Sequence, residues 1–269
     1  MSRTTSADRW QLRRPQAAPE RAAPAAASTR PPLRRGTLLI GVGNSGEAVC
    51  QRVQGHAWRD GFDLRTLGVN NDRREPPPLF VAADGRAAEA VTLSDRLVLG
   101  AEGNARDQIR DYPLLVERYL ERGLLRGIPV FESYNRSIGR GGSSFPAISA
   151  MDIDLNIEAL VAFLRRALQE LGSRGERRGG ASDLEALLSR VSEQRAVATE
   201  FWTIVLVGGG AGSCGNAGLQ LLPYLLRHLL ADMGLANYEL WGVVLGPRAF
   251  TGLTPHVQLN YLALLHGLE

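Results

Sequence analysis

The 269 residues are 44% hydrophobic and 22% charged, the composition of a soluble chain with room for one large domain or two small ones. No apolar run reaches the roughly 20 residues of a membrane-spanning helix. Net charge is +3, and all 31 basic residues are Arg, which excludes Walker-A, protein-kinase and Schiff-base chemistry, each built on a lysine.

The charge is unevenly placed. Residues 1–35 hold eight Arg against Asp8 and Glu20, a net of +6, so the remainder of the chain nets −3. Residues 1–36, rich in Ala, Pro and Arg and without hydrophobic periodicity, read as a disordered basic tail. A solvated extension is the simpler reading. An arm for nucleic acid, anionic lipid or an acidic partner is the other. The acidic balance of residues 37–269, read as one domain, points away from nucleic acid. No apolar stretch follows the N-terminal Arg residues, so no secretory signal is expected and a cytoplasmic protein is. Cys50 and Cys214 are too few for a disulfide framework and suit packing.

In chain order, Thr37–Gly43 is a short apolar run with a glycine stop, as a buried parallel strand requires. Residues 46–54 follow as a helix with Ala48, Val49 and Val53 on one face. Leu64–Asn70 reads as a second strand and Ile128–Glu132 as a third. Residues 113–122 read as a helix. Ile157, Leu160, Val161, Leu164, Leu168 and Leu171 form a stripe at steps of three and four, a further helix. Gly172–Gly180 reads as a surface loop. Phe201–Val207 and Tyr238–Gly246 are the strongest late strands, with a helix over 215–233 that Pro223 should kink or start. Alternation of this kind predicts an α/β fold: a doubly wound, mostly parallel sheet with helices on both faces.

Two loops carry the chemistry. Gly41-Val42-Gly43-Asn44-Ser45-Gly46 is a G-x-G-x-x-G between strand and helix, able to set backbone N–H groups against a diphosphate at a helix N-terminus. Alone it suits a dinucleotide fold equally well. Residues 208–218 (GGGAGSCGNAG) hold six glycines in eleven positions behind a buried strand. Each glycine costs backbone entropy on folding. A turn needs one or two, whereas a nest of amides around a phosphate chain uses many.

Two glycine loops without a lysine resemble the tubulin/FtsZ superfamily. Gly208–Gly215 (GGGAGSCG) is similar to its GGGTG[ST]G signature, and GVNND at 68–72 is similar to the GVNTD-like segment of FtsZ. The likeness is greatest to bacterial tubulin-like proteins, whose late P-x-x-F and N-x-x-x-x-L patterns match Pro247–Phe250 and Asn260–Leu265. The resemblance implies a nucleotide-binding domain over 37–269 that takes GTP with Mg2+. Gly41, Gly43, Asn44, Ser45 and Gly46 would meet the α/β-phosphates, and Gly208, Gly209, Gly210, Ala211, Gly212 and Ser213 would hold them from the other side. Asn71 and Asp72 would lie on the magnesium side, with Asp72 holding a metal water. Asn260 would hydrogen-bond guanine, and Arg140 in the 139–144 loop would sit near the γ-phosphate. Ala211 stands where the family carries threonine, one hydroxyl fewer. The resemblance also implies end-to-end polymers of the whole protein, and places Glu269 short of the central helix and of the second domain that completes hydrolysis. A GTPase is therefore implied by family, but no catalytic residue is assigned.

Other groups have plainer readings. His56, His228, His256 and His266 show no metal spacing. Asp107, Asp111 and Glu117 suit a helix surface, and Asp152 and Asp154 a helix start. Two alternatives stand beside the GTP reading. One is an NAD- or FAD-dependent oxidoreductase built on the first loop, with Asp72 rather far along to hold a ribose. The other is a degenerate, non-catalytic interaction module.

Overall fold

Leu38, Ile40 and Val42 alternate with Leu39 along the first strand, and both sets are buried. That pattern belongs to a strand covered on two faces. The computed structural model describes residues 36–59, 64–81, 89–100, 103–104, 109–122, 135–136, 145–176, 202–236, 238–249 and 255–268. The chain divides into Met1–Leu33 and Arg34–Glu269. The first unit, and with it the expected basic tail, lies outside the described residues.

In the second unit, β1 (Gly36–Val42), β2 (Arg65–Asn70), β5 (Asp95–Val98), β8 (Trp202–Gly209) and β9 (Tyr238–Leu245) form one sheet in the order β5-β2-β1-β8-β9. Every neighbouring pair is parallel. Two small antiparallel pairs lie outside it, β3 (Leu79–Val81) with β4 (Glu89–Val91) and β6 (Gly103–Asn104) with β7 (Asn135–Arg136). The helices are α1 (Gly43–Arg59), α2 (Pro146–Leu155), α3 (Ile157–Glu176), α4 (Ser213–Asp232) and α5 (Pro255–Gly267), with a short helical turn at Pro113–Leu115 that continues as a π-helix over Val116–Glu121.

The two sheet faces have separate cores. Leu38, Ile40, Val42, Ile204 and Leu206 pack against α3 and α4. Leu39, Val205 and Val207 pack against Cys50 and Val49 of α1. Helix α4 buries Leu219, Leu222, Leu226, Leu229 and Leu230, a stripe at helical spacing in which each Leu contributes about 1.5–3 kcal/mol. This is the doubly wound α/β fold the alternation predicts.

Several elements differ from the sequence reading. The buried face of α1 is Gly46, Glu47, Cys50 and Gln51, and Val53 is 41% exposed. A carboxylate on the buried face inverts the expected polarity, because an arginine from another strand meets it there. Strand β5, with Asp95 and Arg96 in four residues, is too polar to read as sheet. Helix α3 runs on to Glu176, into the first part of the supposed loop, whose residues 177–180 lie outside the described residues, and α4 runs through Pro223. Asp152 and Asp154 lie in the second half of α2, not at its start. The expected strand at 128–132 and the 139–144 loop lie outside the described residues.

Candidate functional site

From β1 the chain passes to β2 on one side of the sheet, and from β8 to β9 on the other. The carboxyl ends of β1 and β8 therefore lie at a topological switch point, where a crevice opens in sheets of this kind. Both glycine loops begin there, since Val42 is in register with Gly208. Each loop leads into a long helix, α1 on one face and α4 on the other. Two sets of first-turn N–H groups and two positive dipole ends thus flank one crevice edge.

The loops touch. Gly43 adopts φ +70°, and a Cβ there would lie 3.1 Å from the Gly215 nitrogen. Other glycines are explained by close packing. A Cβ on Gly46 would stand 2.2 Å from the Val207 carbonyl oxygen, and one on Gly41 2.6 Å from the Gly46 backbone. Gly208, Gly210, Gly215 and Gly218 are similarly crowded, by Leu219, Tyr261, Gly209 and Val42 in turn. Close packing therefore accounts for Gly215 and Gly218 and contributes at Gly208 and Gly210, so glycine count is weaker evidence for phosphate than the sequence suggests.

Gly212 differs. It is the N-cap of α4, with φ −81° and no side-chain cap, and a Cβ there would meet only the Gly209 carbonyl oxygen at 3.7 Å. Ser213 follows it, half-buried, and Ala211 is buried. The Gly210 and Gly212 amides donate to Leu245 and Gly209.

Around the first loop lies a polar cluster. Asn70 donates to Asn44 Oδ1 (2.6 Å) and Glu47 Oε2 (2.7 Å), and its own Oδ1 accepts from the Asp72 amide. Asn44 donates to Asp72 Oδ2 at 3.1 Å. Arg74 donates to the same carboxylate from its Nε and a terminal nitrogen (2.8 Å), and from its backbone amide at 3.0 Å. Burial alone would raise the Asp72 pKa, but the Arg74 and Asn44 bonds outweigh it and hold the group at about 2. Asp72 is a firmly ionised carboxylate beside the first loop.

Behind it, Glu47 is fully buried and paired with Arg96, Nε to Oε1 at 2.7 Å. Burial pushes Glu47 up, opposed by Arg96 and Asn70. Arg96 also donates to the backbone carbonyls of Asp72 (2.6 Å), Arg73 and Arg74. One guanidinium thus fixes both the 72–74 turn and the base of α1.

Asn71 turns the other way. Its amide donates to Ser149 Oγ (2.9 Å) and Asp152 Oδ2 (2.8 Å) of α2, so its side chain is a tether and Asp72 faces the loop alone. Asn260, on α5, lies at the second loop: its Nδ2 reaches the Ala211 carbonyl at 3.4 Å. Asn216 donates to both the Gly210 and Asn260 carbonyls, at 2.8 and 2.7 Å. The structure therefore brings the two glycine loops, Asp72 and Asn260 to one edge of the sheet, with the Asn71 side chain turned toward α2. Arg140 lies outside the described residues.

Sequence reasoning missed Glu47, Asn70, Arg74, Arg96 and Asn216. Glu47 was findable: it sits three residues before buried Cys50 on the Gly46 face of the helix. Nothing local marks Arg96. Burial pushes the thiols of Cys50 and Cys214 up to about 12, so neither is a nucleophile.

Among the described residues no group of three His, Cys, Asp or Glu can hold a metal ion. A lone oriented carboxylate fits Mg2+ in the way that ion is held with phosphates, through one or two carboxylates and the ligand's own oxygens. No described helix is long and apolar enough to cross a membrane.

No family model matches the chain, and no curated protein matches it. It is similar to two solved structures from Haloferax volcanii. One is CetZ2 as a GTPgS-bound protofilament, at 15% identity over 87% of this chain and 46% of that one, with a TM-score of 0.41. The other is CetZ1 as a GDP-bound monomer, at 14% identity over 86% and 47%, with a TM-score of 0.42. The chain spans about half the length of either. At such identities and TM-scores the likeness concerns the fold in outline only.

Proposed function

We propose that the crevice at the ends of β1 and β8 binds the phosphates of GTP with Mg2+. The observation that carries this is the convergence of two glycine-led helix N-termini, from opposite faces of the sheet, on adjacent strand ends beside the ionised Asp72. A polyphosphate needs backbone donors on two sides when no lysine is present. The residues that would hold it are Gly43, Asn44 and Ser45 from the first loop and Gly209–Ser213 from the second. Asp72 would hold the Mg2+, which screens phosphate charge. Asn260, whose amide both donates and accepts, is the reader of the purine edge. The motifs that resemble the tubulin/FtsZ superfamily support guanine. They also support a cytoplasmic bacterial protein that polymerises end to end.

Calorimetric titration with GTP, ATP and NAD, each with Mg2+, tests this. GTP binds, and Gly212→Val, which places a side chain where the structure has room, lowers affinity at least about tenfold while costing stability no more than about 1 kcal/mol as a poorer N-cap. The strand order also suits a dinucleotide, but β2 ends on Asn70, where a ribose-binding acid belongs. NAD binding without GTP would establish that alternative, and binding of none would leave an interaction module.

A further inference from the structure

We propose that Arg74 is an exchangeable counter-ion of this site: it covers the Asp72 carboxylate when the crevice is empty and passes to the phosphate chain when a divalent cation takes that carboxylate. The inference rests on the nucleotide reading above and names how the site changes partners.

Asp72 has two kinds of donor. Asn44 Nδ2 and the Arg74 backbone amide are held by the fold, the first through Asn70 and the second through Arg96, which grips the Arg74 carbonyl at 3.0 Å. These keep the carboxylate aimed whatever the guanidinium does. The guanidinium itself is on a side chain 83% exposed, while the Asp72 side chain is 6% exposed. An ion pair with one partner in water is weak and screened, so it opens at little cost. The two carboxylate oxygens offer about four lone-pair sites, and Asn44, the Arg74 amide and the guanidinium already occupy them, so a metal ion bound directly displaces the guanidinium, the one donor the fold does not hold.

The departing guanidinium has a destination. Asp72 is bonded to Asn44 of the first glycine loop, so Arg74 stands beside the place where phosphates are expected. Arginine meets phosphate by paired hydrogen bonds much as it meets carboxylate. In a chain with no lysine, this exchange supplies the cation that a backbone nest lacks. The metal replaces Arg74 on Asp72, and the phosphates then face both cations.

Two titrations on the full chain test the exchange. Mn2+ alone, followed by electron paramagnetic resonance, binds Arg74→Ala about threefold or more tightly than wild type, because its competitor is gone. GTP with saturating Mg2+ binds Arg74→Ala about threefold or more weakly, because the guanidinium released to the phosphates is gone. Arg74→Lys restores much of the second effect, and Arg73→Ala, an exposed neighbour, shows neither. Equal Mn2+ and GTP affinities in Arg74→Ala and wild type overturn the exchange while leaving the nucleotide reading intact. The same shifts in Arg73→Ala overturn it as well, by making the effect one of general charge. A wild-type chain that binds neither GTP nor ATP overturns both.

Discussion

Glycines that look alike in sequence differ in what a methyl group would meet. At Gly46 an added Cβ meets a strand carbonyl at 2.2 Å, and backbone cannot step aside cheaply. Gly46→Ala should lower stability by about 3 kcal/mol or prevent folding, whereas Gly212→Ala should cost no more than about 1 kcal/mol, the loss of a better N-cap residue. Urea unfolding of both variants checks the contrast. Asp72 is a second case. Its pKa falls from 3.8 to about 2 on folding, so its contribution is complete above about pH 4 and is lost as pH drops through that window. The contribution is about 1 kcal/mol, since Arg74 stands in water. The stability gap between wild type and Asp72→Asn should therefore close between pH 4 and pH 2. Glu47 has the opposite sign: burial raises its pKa above 4.5, so charging it works against the fold as pH climbs past that value, and Arg96 offsets the cost.

That offset is what ties elements together. Helix α1, strand β5 and the turn after β2 meet on one guanidinium. Arg96→Ala strands a buried carboxylate and should cost about 3–5 kcal/mol, while Glu47→Leu with Arg96→Met should recover most of it; chemical denaturation of the three proteins decides the point. The same network shows where sequence reading ends. Strands β1, β8 and β9 were legible because apolar runs with glycine stops allow little else, and β2 because Leu67–Val69 lead into an Asn-Asn-Asp turn. The edge strand β5 was not, because Asp95 and Arg96 face partners forty or more residues away in sequence, Arg96 reaching Glu47 and Asp95 reaching Arg166. Glycine loops were legible as loops, yet their division between packing and open cradle was not, since it depends on which side chain of α4 or α5 lies across them. Asn71 and Asp72 are adjacent in a familiar motif, and only the position of α2 assigns one inward to Asp152 and the other to the loop.

On the scale of the whole molecule, one edge of the sheet is left uncovered among the described residues. Trp241 and Val243 of β9 are exposed, as are Leu259, Leu262 and Leu265 of α5, whereas the opposite edge at β5 is clamped by Arg166 on Asp95. The centre of the sheet has a property of another kind. Strand β1 pairs with β8 from Gly36↔Trp202 to Val42↔Gly208, strands separated by some 160 intervening residues of chain. Closing so long a loop comes before any contact that rewards it, which makes this pairing a late and slow event in folding. Until it happens the first glycine loop has no partner loop. A chain still emerging from the ribosome, with β1 and β2 already made, lacks the proposed crevice altogether; the ligand can meet only molecules that have finished, and by binding them it draws the slow step forward.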